Sequence, residues 1–174
     1  MNEYQVSVGF FKWNNRCFSK TKRSLRETWL LHVLGLSKYV HCDLRIYCKN
    51  LDITLYAIEN KQVSFYPTDS VHSLFGKPDV VVELGSFVFD VSKIDRFLFP
   101  SYSGSRWDLA KWFFFYRFLF IKRPKTCTTA ICHILRDLNL PVGEFVMPST
   151  LLKEIKNAPN YVRRKSWCWQ NHFG

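Results

Sequence analysis

The chain has 174 residues, of which 47% are hydrophobic and 17% aromatic, and its formal net charge is +11. That length suits a single domain, and the low glycine and proline content (7 of each) excludes a disordered, collagen-like or low-complexity chain. So many rings supply a dense core without disulfide staples, since each can bury roughly 150–250 Å².

Residues 4–11 (YQVSVGFF) alternate well enough for a strand, and residues 21–36 place Leu25, Trp29, Val33 and Leu36 at helical spacing. The clearest strand is Tyr39–Cys48 (YVHCDLRIYC). There a period of two puts Val40, Cys42, Leu44, Ile46 and Cys48 on one face and Tyr39, His41, Asp43, Arg45 and Tyr47 on the other. Residues 53–58 and 63–66 read as short strands around a turn at Glu59-Asn60-Lys61, which makes an antiparallel meander. Residues 67–78 read as turn-rich, after which residues 80–84 and 87–91 extend the sheet. Residues 92–99 form a short helical or irregular passage, 101–105 a loop, and 107–120 an unusually aromatic helix. Thr126 then serves as N-cap to a helix that carries Cys127, Ile131, Ile134 and Leu138 on one face and stops at Pro141. The expected fold is a single α+β domain over residues 1–174, its antiparallel sheet (residues 39–91) packed against the Cys127 helix. A basic tail begins at about residue 157.

The six cysteines (Cys17, Cys42, Cys48, Cys127, Cys132 and Cys168) include no C-x-x-C pair, and no leader pattern opens the chain. Both features point to free thiols in a reducing, cytoplasmic setting. Cys42 with Cys48, and Cys127 with Cys132 and His133, are too loosely spaced for a zinc site, so neither metal nor cofactor is expected. The most apolar run, residues 112–121 (WFFFYRFLFI), contains Arg117 and falls short of the roughly 20 residues a spanning helix needs, so it is expected to pack inside the protein. Positive charge gathers at the two ends, +6 over residues 1–50 and +8 over residues 101–174. Such a distribution attracts an anionic partner, with Lys153, Lys156, Arg163, Arg164 and Lys165 as the solvated basic cluster. The usual modules of specific nucleic-acid readers are not legible.

Cys127 is the best candidate nucleophile of the six. A thiolate in the first turn of a helix is stabilised by the positive end of the macrodipole, and Lys122, Arg123 and Lys125 stand close by in sequence. A nucleophilic cysteine needs a base, most often histidine. Of His32, His41, His72, His133 and His172, His41 is the one that opens a strand and would be held rigidly by a sheet.

The order of these parts resembles the circularly permuted papain-like cysteine hydrolases, in which a strand-borne histidine precedes a cysteine at a helix N-terminus. KYVHCDLRIY resembles the histidine strand, SRWDLAKWFF the aromatic-Asp segment before the cysteine helix, TCTTAICHILRDLNL the helix itself, and MPSTLLKEI the Pro-x-x-Leu element after it. Many relatives have Cys-Ser-Glu where this chain has Cys127-Thr128-Thr129. The resemblance implies a papain-like domain and a cysteine peptidase, amidase or acyltransferase, with Cys127 attacking a carbonyl and His41 carrying the proton. Glu59 or Tyr56 would orient His41, with Asp43 and His72 behind them. Implied substrates are peptides, isopeptides and acyl esters, and such small permuted domains also occur in viruses and phages. Two other readings are a noncatalytic basic protein that binds nucleic acid or an acidic protein, and a structural protein on a degenerate hydrolase scaffold.

Overall fold

The computed structural model describes residues 2–12, 38–57, 63–89, 126–144 and 147–157. The expected elements at residues 21–36, 92–99, 101–105 and 107–120, the aromatic run at 112–121 and the tail beyond 157 lie outside them. Five strands, β1 (Asn2–Lys12), β2 (Tyr39–Cys48), β3 (Leu51–Ala57), β4 (Val63–Pro67) and β5 (Val80–Phe89), form one sheet in the order β4-β3-β2-β1-β5. Every neighbouring pair is antiparallel. Three described helices accompany it: α1 (Thr68–Phe75), α2 (Cys127–Asp137) and α3 (Pro148–Asn157). The class is α+β.

The sheet is not confined to residues 39–91. β1 lies inside it, between β2 and β5, because it is buried on both sides: Val6, Val8 and Phe10 on one face, Ser7 and Phe11 on the other. β2, β3 and β4 do form the expected meander, but β5 joins the far side of β1. The stretch read as turn-rich contains α1, an eight-residue helix between Pro67 and Gly76, whose φ of 81° ends it. Its signal was hidden because the segment is short and rich in polar and turn-forming residues, although Val71 is buried. Residues 80–84 and 87–89 belong to one strand. The pairing with β1 slips between Val6 and Ser7, and Gly85 supplies the positive φ (115°) at that irregularity, as bulges often require.

One apolar core fills the space between the sheet and two helices. Val6, Val8 and Phe10 of β1, Cys42, Leu44 and Ile46 of β2, Leu55 and Leu84 meet Ala130, Ile131, Ile134 and Leu135 of α2 and Leu151, Leu152 and Ile155 of α3. Both helices pack on β2. α3 begins with Pro148, which is suited to a first helical position because its missing N–H has no intrahelical acceptor to lose. Lys153 and Lys156 are exposed on it. The opposite face of the sheet is polar yet partly covered. α1 packs on β3 and β4, where the Thr68 and Thr54 hydroxyls bond at 2.8 Å, and both threonines are buried. Arg45 forms a two-pronged ion pair with Asp52 and lies over the Tyr47 ring, 4.6 Å from its centre. The Tyr47 hydroxyl donates to Glu83, and burial beside that carboxylate pushes its pKa up to about 12.

Candidate functional site

The N-terminus of α2 is closed by a reciprocal capping box. The Thr126 hydroxyl accepts from the Thr129 backbone N–H at 3.3 Å, and the Thr129 hydroxyl accepts from the Thr126 N–H at 2.7 Å. Glutamate or glutamine usually makes the second bond, so Thr129 does here what the Glu of a Cys-Ser-Glu sequence would do. At the other end Asn139 adopts φ 61°, with Asn139 N bonding Arg136 O and Leu140 N bonding Leu135 O, a complete Schellman closure just before Pro141. Thus α2 is fixed at both ends. Cys127 is its first residue, half-buried, and so stands at the positive end of the helix dipole.

The start of β2 lies against this helix end. Tyr39 N donates to Ser149 Oγ of α3 at 3.2 Å, and the Tyr39 ring meets Phe10 edge-on at 5.9 Å. Phe11 pairs with His41 but Lys12 pairs with Tyr39, so Val40 is an extra residue on β2. This corrects the strict alternation expected for the strand: Tyr39 joins Cys42, Leu44 and Ile46 in the core. Such a bulge bends a strand and re-aims the side chains beside it, and the neighbour here is His41. Its half-buried imidazole packs on the Phe11 ring, 5.4 Å between centres, and hydrogen-bonds the Cys127 thiol group.

Three further groups complete the cluster. The buried Cys42 thiol donates toward the Cys127 sulfur across 4.0 Å and lies 3.5 Å from the Thr128 hydroxyl. Asp43 is buried two residues along the strand from His41, and its Oδ1 accepts from Gly9 N at 3.1 Å. The carboxylate fits because position 9 has no side chain: a Cβ there would overlap Asp43 Oδ1 and stand 3.0 Å from Pro78.

The electrostatics separate the two sulfurs. Hydrogen bonding from Cys42 is the main influence that holds the Cys127 thiol well below the ordinary range. Burial opposes it, and the charge and hydrogen bond of His41, then the Cys42 backbone, reinforce it. Cys42 moves the other way, pushed well up by burial and by its negative neighbour. For His41, burial disfavours the imidazolium, but the Cys127 thiolate and then Asp43 outweigh it, so its pKa is raised. Burial raises Asp43 to about 6, although His41 and the Gly9 N–H work against that rise. These directions favour the charged forms of Cys127 and His41 together, with Asp43 acting on the imidazole and the Cys42 thiol kept protonated beside the Cys127 sulfur.

Of the residues singled out from sequence, Cys127, His41 and Asp43 come together here. His72 does not join them. It sits on α1 among Arg45, Asp52, Asp69 and Lys77. Glu59 lies outside the described residues, as does the side chain of Tyr56. Sequence reasoning overlooked Cys42 and Gly9. The period of two had already put Cys42 on the face where the helix packs, and an isolated glycine within a strand marks close approach of another group. The four described cysteines are free thiols, and among the described residues no group of three or more His, Cys, Asp or Glu is arranged to hold a metal ion. No helix among them is long and apolar enough to cross a membrane. No known protein family, curated protein or solved structure matches the chain at a significant level.

Proposed function

We propose that this chain is a cysteine-dependent hydrolase, a peptidase or amidase built as a circularly permuted papain-like domain. The observation that carries the reading is the half-buried Cys127 at a capped helix start, its sulfur beside the Cys42 thiol and its thiol held well below the ordinary range by Cys42 and by the neighbouring His41 imidazole. In the reaction, Cys127 Sγ attacks the carbonyl carbon of an amide or ester. The negative charge that develops on oxygen is met by backbone N–H groups in the first turn of α2, where those of Cys127 and Thr128 have no intrahelical acceptor. The carbon–nitrogen or carbon–oxygen bond breaks as the His41 imidazolium gives its proton to the leaving group, which leaves an acyl-cysteine. Neutral His41 then takes a proton from water, and the hydroxide formed displaces the thiolate. Asp43 supports the imidazolium in this scheme, the role for which Glu59 and Tyr56 stood ahead of it on sequence grounds. Peptides, isopeptides and acyl esters all present the required carbonyl.

The test is acylation by an activated ester, followed by intact mass. Wild-type protein gains one acyl group on Cys127. Cys127→Ala and His41→Ala both lose it, with unfolding midpoints within about 5 °C of wild type. Acylation that persists in Cys127→Ala, or wild-type protein that never acylates, overturns the proposal.

A further inference from the structure

We propose that Cys127 and Cys42 form a hydroperoxide-reactive dithiol, with Cys127 the attacking sulfur and Cys42 the resolving one. The two sulfurs are 4.0 Å apart although 85 residues separate them in the chain, and Cys42 directs its S–H at Cys127. Access orders their roles: Cys127 is half-buried, whereas Cys42 is only 1% exposed, so an oxidant in solution meets Cys127 first. A disulfide needs a sulfur separation of about 2.05 Å, so the two sulfurs must approach by roughly 2 Å to bond.

The chemistry balances. The Cys127 thiolate attacks the terminal oxygen of a hydroperoxide, the O–O bond breaks, and the departing alkoxide or hydroxide takes a proton, leaving a sulfenic acid on Cys127. The Cys42 sulfur then attacks the Cys127 sulfur, the S–O bond breaks, and the hydroxide leaves as water with the Cys42 proton. Two thiols are oxidised to one disulfide, and one hydroperoxide is reduced to an alcohol (water, in the case of hydrogen peroxide) plus water. The bond would tie the first residue of α2 to β2 and remove the nucleophile. That consequence for activity rests on the proposed hydrolase reading, but formation of the bond does not.

The experiment treats the reduced full-length chain with a small excess of hydrogen peroxide, blocks remaining thiols with N-ethylmaleimide and maps the peptides by mass. The expected product is a cross-linked peptide joining Cys42 to Cys127, cleaved by dithiothreitol. In Cys42→Ala, and in Cys42→Ser in case the smaller residue impairs folding, the cross-link is absent and Cys127 proceeds to sulfinic and sulfonic acids. Over-oxidation of Cys127 in the wild type with Cys42 still a thiol overturns the proposal, as does a Cys127 that stays reduced while other cysteines react. Acylation of the same samples separates the two claims. Loss of acylation restored by dithiothreitol supports both, whereas a cross-link in a protein that never acylates keeps the dithiol and removes the hydrolase.

Discussion

Asp43 shows how a single buried group links stability to function. Its carboxyl is raised to about 6 from an ordinary 3.8, so between those values the folded chain holds a proton that the unfolded chain has lost. Stability contributed by this group therefore falls as pH rises through that window, by roughly 3 kcal/mol for a two-unit shift. Asn in its place still accepts from Gly9 N but cannot ionise. Asp43→Asn should match wild type in denaturant unfolding near pH 3.5 and exceed it by up to about 3 kcal/mol at pH 7. Under the proposed hydrolase reading, the same variant should also acylate more slowly. Without the carboxylate the His41 imidazolium loses support, so the alkaline limb of the pH–rate profile should move to lower pH. An unchanged alkaline limb would make Asp43 merely a core group. Gly9→Ala tests the same contact from β1. The added methyl must displace Asp43 or Pro78, at a cost of roughly 1–3 kcal/mol in unfolding free energy.

Among the elements, α2 was the most legible in sequence and β2 the most deceptive. Thr126, the spacing of Ile131 and Ile134, and Pro141 marked the helix and its first residue, because capping and amphipathic spacing are local properties. Alternation likewise placed His41 and Asp43 on one side of a strand. It could not reveal the extra residue at Val40, since the bulge is defined by pairing with Phe11 and Lys12, some thirty residues earlier. For the same reason the Cys42–Cys127 contact was invisible: it depends on how α2 docks on β2. The capping box can be tested by itself. Thr126→Ala removes the acceptor for Thr129 N and should lower stability by about 1 kcal/mol. It should also slow alkylation of Cys127 at neutral pH, because a frayed first turn holds the sulfur less firmly at the dipole. Loss of stability with unchanged alkylation would separate the cap from the site.

At the scale of the molecule, the α+β class and the meander were readable from the order and periodicity of the elements, yet the sheet order was not. Nothing local says that β1 pairs with both β2 and β5. The strand's burial on both faces is the physical reason for that place, and it emerges only from tertiary packing, with Asp43 and Pro78 against Gly9 on one face and the core shared with α2 and α3 on the other. This topology is what assembles the site, bringing Gly9 and Phe11 from β1, His41, Cys42 and Asp43 from β2, and Cys127 from α2 into one cluster. The net charge of +11 acts at longer range, attracting anions of any kind to a degree that salt screens. The most direct measurement of the central claim is the pH dependence of iodoacetamide alkylation, followed cysteine by cysteine in the full chain. Cys127 should react fastest, with a midpoint well below that of an ordinary thiol, and His41→Ala should move that midpoint upward. A Cys127 that titrates in the ordinary thiol range, or whose midpoint ignores the loss of His41, would contradict the account.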